Sequence, residues 1–232
     1  MSHVNKNSGT TILELMLAMA FVSTLLIAIT MTTIHIGDMY NRGITLKEVD
    51  QAGQSLVGEL QRGINQVPAF DVTTKFVKLQ DGTDYYAGRL CTGKYSYIWN
   101  FGKVWHGTTY PSVNEYSGLS DKVRFVKVPD STAKYCAAML PDIDTTDGPT
   151  ELLNVGDREL ALHSFEITSA STDPVTGQQL YKIDFVIGTN EKDTIDAGYS
   201  SCKAPGATIT KRDTTYCSIN SFTITVRSGN KS

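Results

Sequence analysis

An apolar run from Leu15 to Ile36 constrains this chain more than any other part of its sequence. Its only polar side chains are Ser23, four threonines and His35. Hydroxyl side chains are tolerated there because they can bond to the carbonyls of their own helix. A run of this length is typical of a helix that crosses a membrane. We therefore predict a membrane helix near the start of the chain, with the rest folding outside the hydrocarbon layer.

Glu14 stands at the head of this run. A carboxylate in hydrocarbon is costly, so Glu14 is expected to face a cation or another subunit. A secretory signal cleaved after the motif Ala18-Met19-Ala20 would leave Glu14 inside its apolar core, and a plain signal anchor would leave Glu14 at the membrane interface. Neither alternative accounts for Gly9 and Glu14 together.

The segment Gly9-Thr10-Thr-Ile-Leu-Glu14-Leu resembles the prepilin signature of type IV pilins and their secretion-system relatives. In that family a short basic leader ends at a Gly, followed by the first mature residue, Thr-Leu-x-Glu-Leu and a long apolar helix. The resemblance implies cleavage after Gly9 and N-methylation of Thr10, where the family most often has Phe. It also implies that Glu14 acts in assembly, by pairing its carboxylate with the Thr10 ammonium of a neighbouring subunit.

A second apolar pattern continues the helix with the spacing of a single face. It consists of Ile44, Val49, Gly53, Leu56, Leu60, Ile64 and Val67. Pro68 lacks a backbone donor and should end the helix. Because glycine weakens a helix interior by about 1 kcal/mol relative to Ala, we expect a bend or a melted turn between Gly37 and Gly43.

Beyond the helix the sequence alternates as in antiparallel strands. Strands are predicted at residues 122–125, 181–187 and 222–226, and further ones at 73–79, 95–99 and 160–167. Each places apolar side chains on one face, and the amphipathic helix is the only long surface that can cover it. The predicted fold is α+β, with the helix packed on a sheet, and the resemblance implies the ladle shape of pilins. The parts are a leader (1–9), a transmembrane or filament-core helix (10–36), an amphipathic helix (37–67) and a β-rich head (68–232).

Composition and motifs argue against two classes of function. The chain has 21 basic and 24 acidic residues, a net charge of −3, which does not favour binding to nucleic acid. We find no Ser/His/Asp order, phosphate-binding glycine loop or paired acid and base, so no enzymatic activity is predicted.

The four cysteines, Cys91, Cys136, Cys202 and Cys217, all follow the apolar run. No pair has C-x-x-C spacing, which favours disulfides in an oxidising compartment over a zinc site. Cys202 with Cys217 would close a short loop and Cys91 with Cys136 a longer one, but the sequence leaves all three pairings open.

Three carboxylates, Asp142, Asp144 and Asp147, precede Gly148. Calcium is bound by such oxygen ligands, and some relatives of the pilin family bind it in their heads. The spacing departs from that of an EF-hand loop, because Asp147 lies three residues after Asp144. An acid-rich turn is the alternative interpretation, and no other cofactor is suggested.

The resemblance implies a minor type IV pilin of the tip or priming complex, or a J-type minor pseudopilin of a type II secretion system. Its partners would be other pilins through the N-terminal helix, the prepilin peptidase, the inner-membrane assembly platform and, before assembly, the lipid bilayer. The chain would cross the inner membrane once with its head exported, and then join a cell-surface or periplasm-spanning filament. The alternative from another class is an anchored adhesin ectodomain that never polymerises. Glu14 separates the two, since a lone anchor has no use for it.

Overall fold

A computed structural model of the chain describes residues 11–107, 110–119, 121–137, 142–153, 159–204 and 216–229. The fold is α+β, with a long N-terminal helix that packs on antiparallel sheets, as predicted. The helices are α1 (Ile12–Asn65), α2 (Val72–Lys75) and α3 (Lys134–Ala137). The strands are β1 (Phe76–Asp81), β2 (Asp84–Cys91), β3 (Tyr95–Asn100), β4 (Phe125–Pro129), β5 (Thr150–Glu151), β6 (Leu160–Thr172), β7 (Gln179–Thr189) and β8 (Ile219–Arg227).

Helix α1 contains 54 residues and is shared by two compact units, whose boundary in the sequence lies between Asn41 and Arg42. The expected melted turn between Gly37 and Gly43 is not present, since α1 is helical through both. The hydrogen bonds of a long apolar helix outweigh the weak helix propensity of two glycines. The helix ends shortly before Pro68, as predicted, with a last turn closed by the N–H of Val67 on the carbonyl of Ile64.

The unit from Arg42 onward is built around the second part of α1. The apolar face of the helix packs against two sheets, with strand orders β1-β2-β3-β4-β5 and β6-β7-β8, where one sheet was predicted. The shared core includes Trp99 and Phe125, which pair across β3 and β4, and Phe165 and Phe185, which pair across β6 and β7. Because both sheets turn a face to the same helix, α1 holds them in one core.

Close approach of the helix to the sheets depends on two of its glycines. A Cβ at Gly53 would lie 2.0 Å from Cζ of Phe222, and a Cβ at Gly63 would lie 1.9 Å from the hydroxyl oxygen of Tyr97. A Cβ at Gly58 would have no atom within 4 Å. At Gly53 and Gly63 only glycine leaves room for the sheet side chains, and this explains why glycine occurs on the buried face of the helix although it weakens a helix.

The five-stranded sheet is buried on both faces, which differs from the one-sided pattern predicted. Ile98, Val126 and Val128 face away from α1 and pack with Tyr135 and Ile143 in a second cluster. The connecting segments that follow β3 and β4 pack on this second face. The alternation of apolar and polar residues within one strand cannot indicate that a distant segment covers its other face. The strand predicted at 122–125 begins later, at Phe125.

The remaining strand predictions differ in outcome. Four of the predicted strands are confirmed. They are 95–99 within β3, 160–167 within β6, 181–187 within β7 and 222–226 within β8. The segment 73–79 is only partly a strand, because Asp71 caps the short helix α2 through the N–H of Thr73 before β1 begins. Strand β2, which carries Cys91, was not predicted.

Candidate functional site

The first part of α1 presents an exposed apolar surface. Its large apolar side chains between Ile12 and Ile36 range from 45% exposed at Leu25 to 80% exposed at Ile12. Among the described residues, α1 is the one helix that is long and apolar enough to cross a membrane. An apolar surface of this extent is suited to lipid or to other apolar helices.

The hydroxyl side chains of this surface are bonded within the helix. The Ser23 hydroxyl donates to the carbonyl of Met19 at 2.8 Å, and the hydroxyls of Thr24, Thr30, Thr32 and Thr33 donate to carbonyls three or four residues earlier. The prediction that these groups bond to their own helix is therefore confirmed. Their polarity does not interrupt the apolar surface.

Glu14 lies in the first turn of α1. Thr11 Oγ1 accepts the backbone N–H of Glu14 at 3.3 Å, so Thr11 caps the helix. The spacing Thr11-x-x-Glu14 is that of a capping box, which is a local sequence signal for the start of a helix. The Glu14 carboxylate has no partner among the described residues, and the positive end of the helix dipole favours its charge by about 0.3–1 kcal/mol.

The Glu14 carboxylate shares one side of the helix with small side chains. A shallow groove of about 620 Å³ is lined by Glu14, Leu17, Ala18, Ala20, Phe21 and Thr24. The small side chains of Ala18 and Ala20 allow another helix to approach closely. The groove can thus receive an apolar helix together with one positive charge. Gly9 and Thr10, the residues of the predicted cleavage, lie outside the described residues.

The four cysteines form two disulfides, Cys91–Cys136 and Cys202–Cys217. Of the three pairings that the sequence left open, this is the one that closes one short and one longer loop. Cys91 ends β2 and Cys136 lies in α3, so the longer loop ties α3 to the five-stranded sheet. Both bonds lie in the unit that follows the apolar surface.

The acidic segment before Gly148 is engaged by protein donors. Lys134 Nζ lies 2.7 Å from Asp147 Oδ2, and this bond lowers the pKa of Asp147. Asp144 Oδ1 accepts the backbone N–H of Thr146 at 2.9 Å, and bonds from Thr146 lower the pKa of Asp144. No three His, Cys, Asp or Glu side chains in the described part of the chain are arranged to hold a metal ion. These contacts favour the acid-rich turn over a calcium site formed by Asp142, Asp144 and Asp147.

A polar cluster that the sequence did not indicate surrounds Tyr199. The ring of Tyr199 contacts the rings of His106 and His163, and its hydroxyl lies 2.9 Å from His106 Nδ1. His163 Nε2 donates to the carbonyl of Thr189 at 3.1 Å. Burial lowers the pKa of His163 to about 4, so the ring is neutral near pH 7. Sequence spacing holds no signal for this cluster, because its members come from distant segments.

Comparisons of the chain with known protein families, with curated proteins and with solved structures find no match.

Proposed function

We propose that this chain is a minor subunit of a type IV pilus-like filament. The observation that carries the proposal is the contrast along α1. Its first part is apolar and exposed with one carboxylate, Glu14, near its start, whereas one face of its second part is buried in the head. A helix with this contrast has one half available for lipid or for other subunits and one half that supports a folded domain.

The chemistry of assembly follows from the charges at the start of the helix. Cleavage after Gly9 would expose an ammonium group on Thr10, which is costly in an apolar filament core. Glu14 has no partner among the described residues and can accept that ammonium from a neighbouring subunit. Desolvation offsets much of the attraction, so such a pair selects the register of subunits more than it strengthens the filament.

The proposal also assigns partners and a location. Before assembly the apolar part of α1 would lie in the inner membrane, where a prepilin peptidase and the assembly platform act on it. The head would be exported, and two disulfides in the head support an oxidising compartment. After assembly the apolar surface would be covered by the helices of other pilins.

The experiment is mass spectrometry of the mature N-terminus in host membranes and in sheared filaments. We expect a chain that begins at Thr10, carries an N-methyl group and is recovered with other pilin subunits. An uncleaved chain in a host with active prepilin peptidase would contradict the processing step. A chain that is cleaved but absent from filaments and from complexes with other subunits would instead favour the anchored ectodomain.

A further inference from the structure

The outer edge of β8 faces no other strand in the described part of the chain. Backbone bonds pair Ser228 with Gln179 at 2.8 Å and Ser218 with Thr189 at 2.9 Å across β8 and β7. Hydrogen-bonded pairs alternate along an antiparallel ladder. The even-numbered residues from 218 to 228 therefore bond to β7. The N–H and C=O groups of the odd-numbered residues from 219 to 227 point out of the sheet.

Part of this edge is covered and part is open. Asn220 Oδ1 accepts the outward N–H of Ser221 at 2.9 Å, so this donor near the start of β8 is already bonded. The backbone N–H groups of Thr223, Thr225 and Arg227 have no such cover among the described residues. Among the described residues, 223–227 therefore form a row of backbone donors and acceptors without partners on this side.

The open edge also lacks the usual protection against pairing. Natural edge strands are commonly blocked by Pro, by Lys or by a bulge. β8 contains neither residue, its one charged side chain, Arg227, stands at its end, and its register with β7 is regular from Ile219 to Arg227. The ladders of β1 with β2 and of β6 with β7 both contain register shifts. β8 is thus the long regular edge of this sheet.

An apolar group of α1 lies beside the open residues. Gly53 contacts the ring of Phe222 in β8, and the N–H of Gly229 bonds to the carbonyl of Val67, so α1 follows β8 between these two contacts. At about 100° per residue, Val57 projects within about 40° of Gly53. Val57 is only partly buried against the core. A strand added beside residues 223–227 would cover Val57, provided that its own side chains on that face are apolar.

The opposite face of β8 is polar. Asp184 on β7 accepts from Lys182 at 2.9 Å and from the hydroxyl of Thr223 at 2.5 Å. Arg227 makes no ion pair within 4 Å among the described residues, although its charge contributes to lowering the pKa of Asp173. An incoming strand with a carboxylate beside Arg227 would supply that ion pair.

We propose that the β8 edge is a strand-addition site for an extended segment of another protein. In that segment, apolar side chains directed at Val57 of α1 alternate with polar ones, and an acidic side chain lies beside Arg227. Backbone pairing with residues 223–227 would supply the affinity, and the alternate side chains would supply the specificity. Since β8 belongs to the head, this use does not require α1 to join a filament.

The probe is the blocked peptide Val-Glu-Val-Thr-Val-Glu-Val. When its central Thr lies opposite Thr225, one of its two Glu residues lies beside Arg227 in either strand direction. Binding to the full chain in detergent micelles is measured by calorimetry, and hydrogen exchange follows the amides of residues 223–227. We expect saturable binding and slower exchange at Thr223, Thr225 and Arg227. Thr225→Pro should weaken binding about tenfold or more, because it removes an outward N–H that β7 does not use. Thr225→Val keeps that N–H and should bind like the parent.

A charge exchange keeps the test decisive if Thr225→Pro fails to fold. Arg227→Glu should lower the affinity for the acidic peptide by about tenfold. It should raise the affinity for the analogue that has Lys in place of both Glu residues by about the same factor. Three results would overturn the proposal: no binding to the parent, equal binding by the parent and Thr225→Pro, or no response to the charge exchange. A parent chain that self-associates through β8, and loses this with Thr225→Pro, would also overturn it, because the occupant would then be a second copy.

Discussion

Replacing Glu14 by Gln tests whether its carboxylate acts in assembly or only at the start of α1. Thr11 Oγ1 accepts the N–H of Glu14 at 3.3 Å, and in a capping box Gln serves as well as Glu at this position. Glu14→Gln therefore removes the charge and keeps the cap. Thr11→Val is the matched control, because it removes the cap and keeps the charge.

The magnitudes of the competing effects are well separated. Loss of a helix cap costs about 1 kcal/mol. Removal of a charge from a membrane helix favours insertion, by up to about 2.5–3.5 kcal/mol at the helix centre and less near its end. Leaving the Thr10 ammonium of a neighbour without its carboxylate in an apolar core costs about 3–5 kcal/mol. At about 1.4 kcal/mol per factor of ten, the last effect is a hundredfold or more.

The assay compares the amount of each variant in the membrane fraction with the amount in sheared filaments, by quantitative mass spectrometry. Glu14→Gln should reach the membrane at the level of the parent or above it. Its ratio of filament to membrane protein should fall by about a hundredfold, because only assembly needs the charge. Thr11→Val should change this ratio by less than about tenfold.

Equal ratios for Glu14→Gln and the parent would refute the reasoning and favour the anchored ectodomain. A fall with Thr11→Val as large as that with Glu14→Gln would show that the start of the helix, and not the carboxylate, limits assembly. Loss of Glu14→Gln from the membrane fraction would contradict the expected gain in insertion.

Two further predictions concern the head. Gly53→Ala should destabilise it by about 1–3 kcal/mol, because the added Cβ would overlap Phe222, whereas Gly58→Ala should stabilise it by about 1 kcal/mol. Thermal unfolding compares the two variants, and Tm shifts of the same sign would contradict the assigned contact. The pKa of His163 is lowered from 6.5 to about 4, so on acidification the unfolded chain binds a proton before the folded chain does. Stability should therefore fall between about pH 6.5 and pH 4 by up to about 3 kcal/mol, and His163→Gln should flatten this part of the measured pH dependence.

Local repetition explains which parts of the fold could be predicted. The apolar run and the stripe that includes Leu56 and Leu60 each repeat over several turns of helix, so their periodicity is strong enough to outweigh single glycines such as Gly43. The strands β7 and β8 alternate for the same reason, because the polar side chains on their outer face remain outside the core. In both cases neighbours in sequence share one environment.

The sequence by itself determined a long helix, apolar in its first part and amphipathic in its second, followed by antiparallel strands. Only the tertiary structure decided that two sheets share α1 and that β4 is buried on both faces. It also decided which cysteines pair, and that Asp147 faces Lys134. Hydrophobic periodicity records the environment of adjacent residues along one element. The segment that buries a sheet face, the partner of a cysteine and the cation that faces a carboxylate all come from distant parts of the chain. No local pattern encodes which of those parts become neighbours.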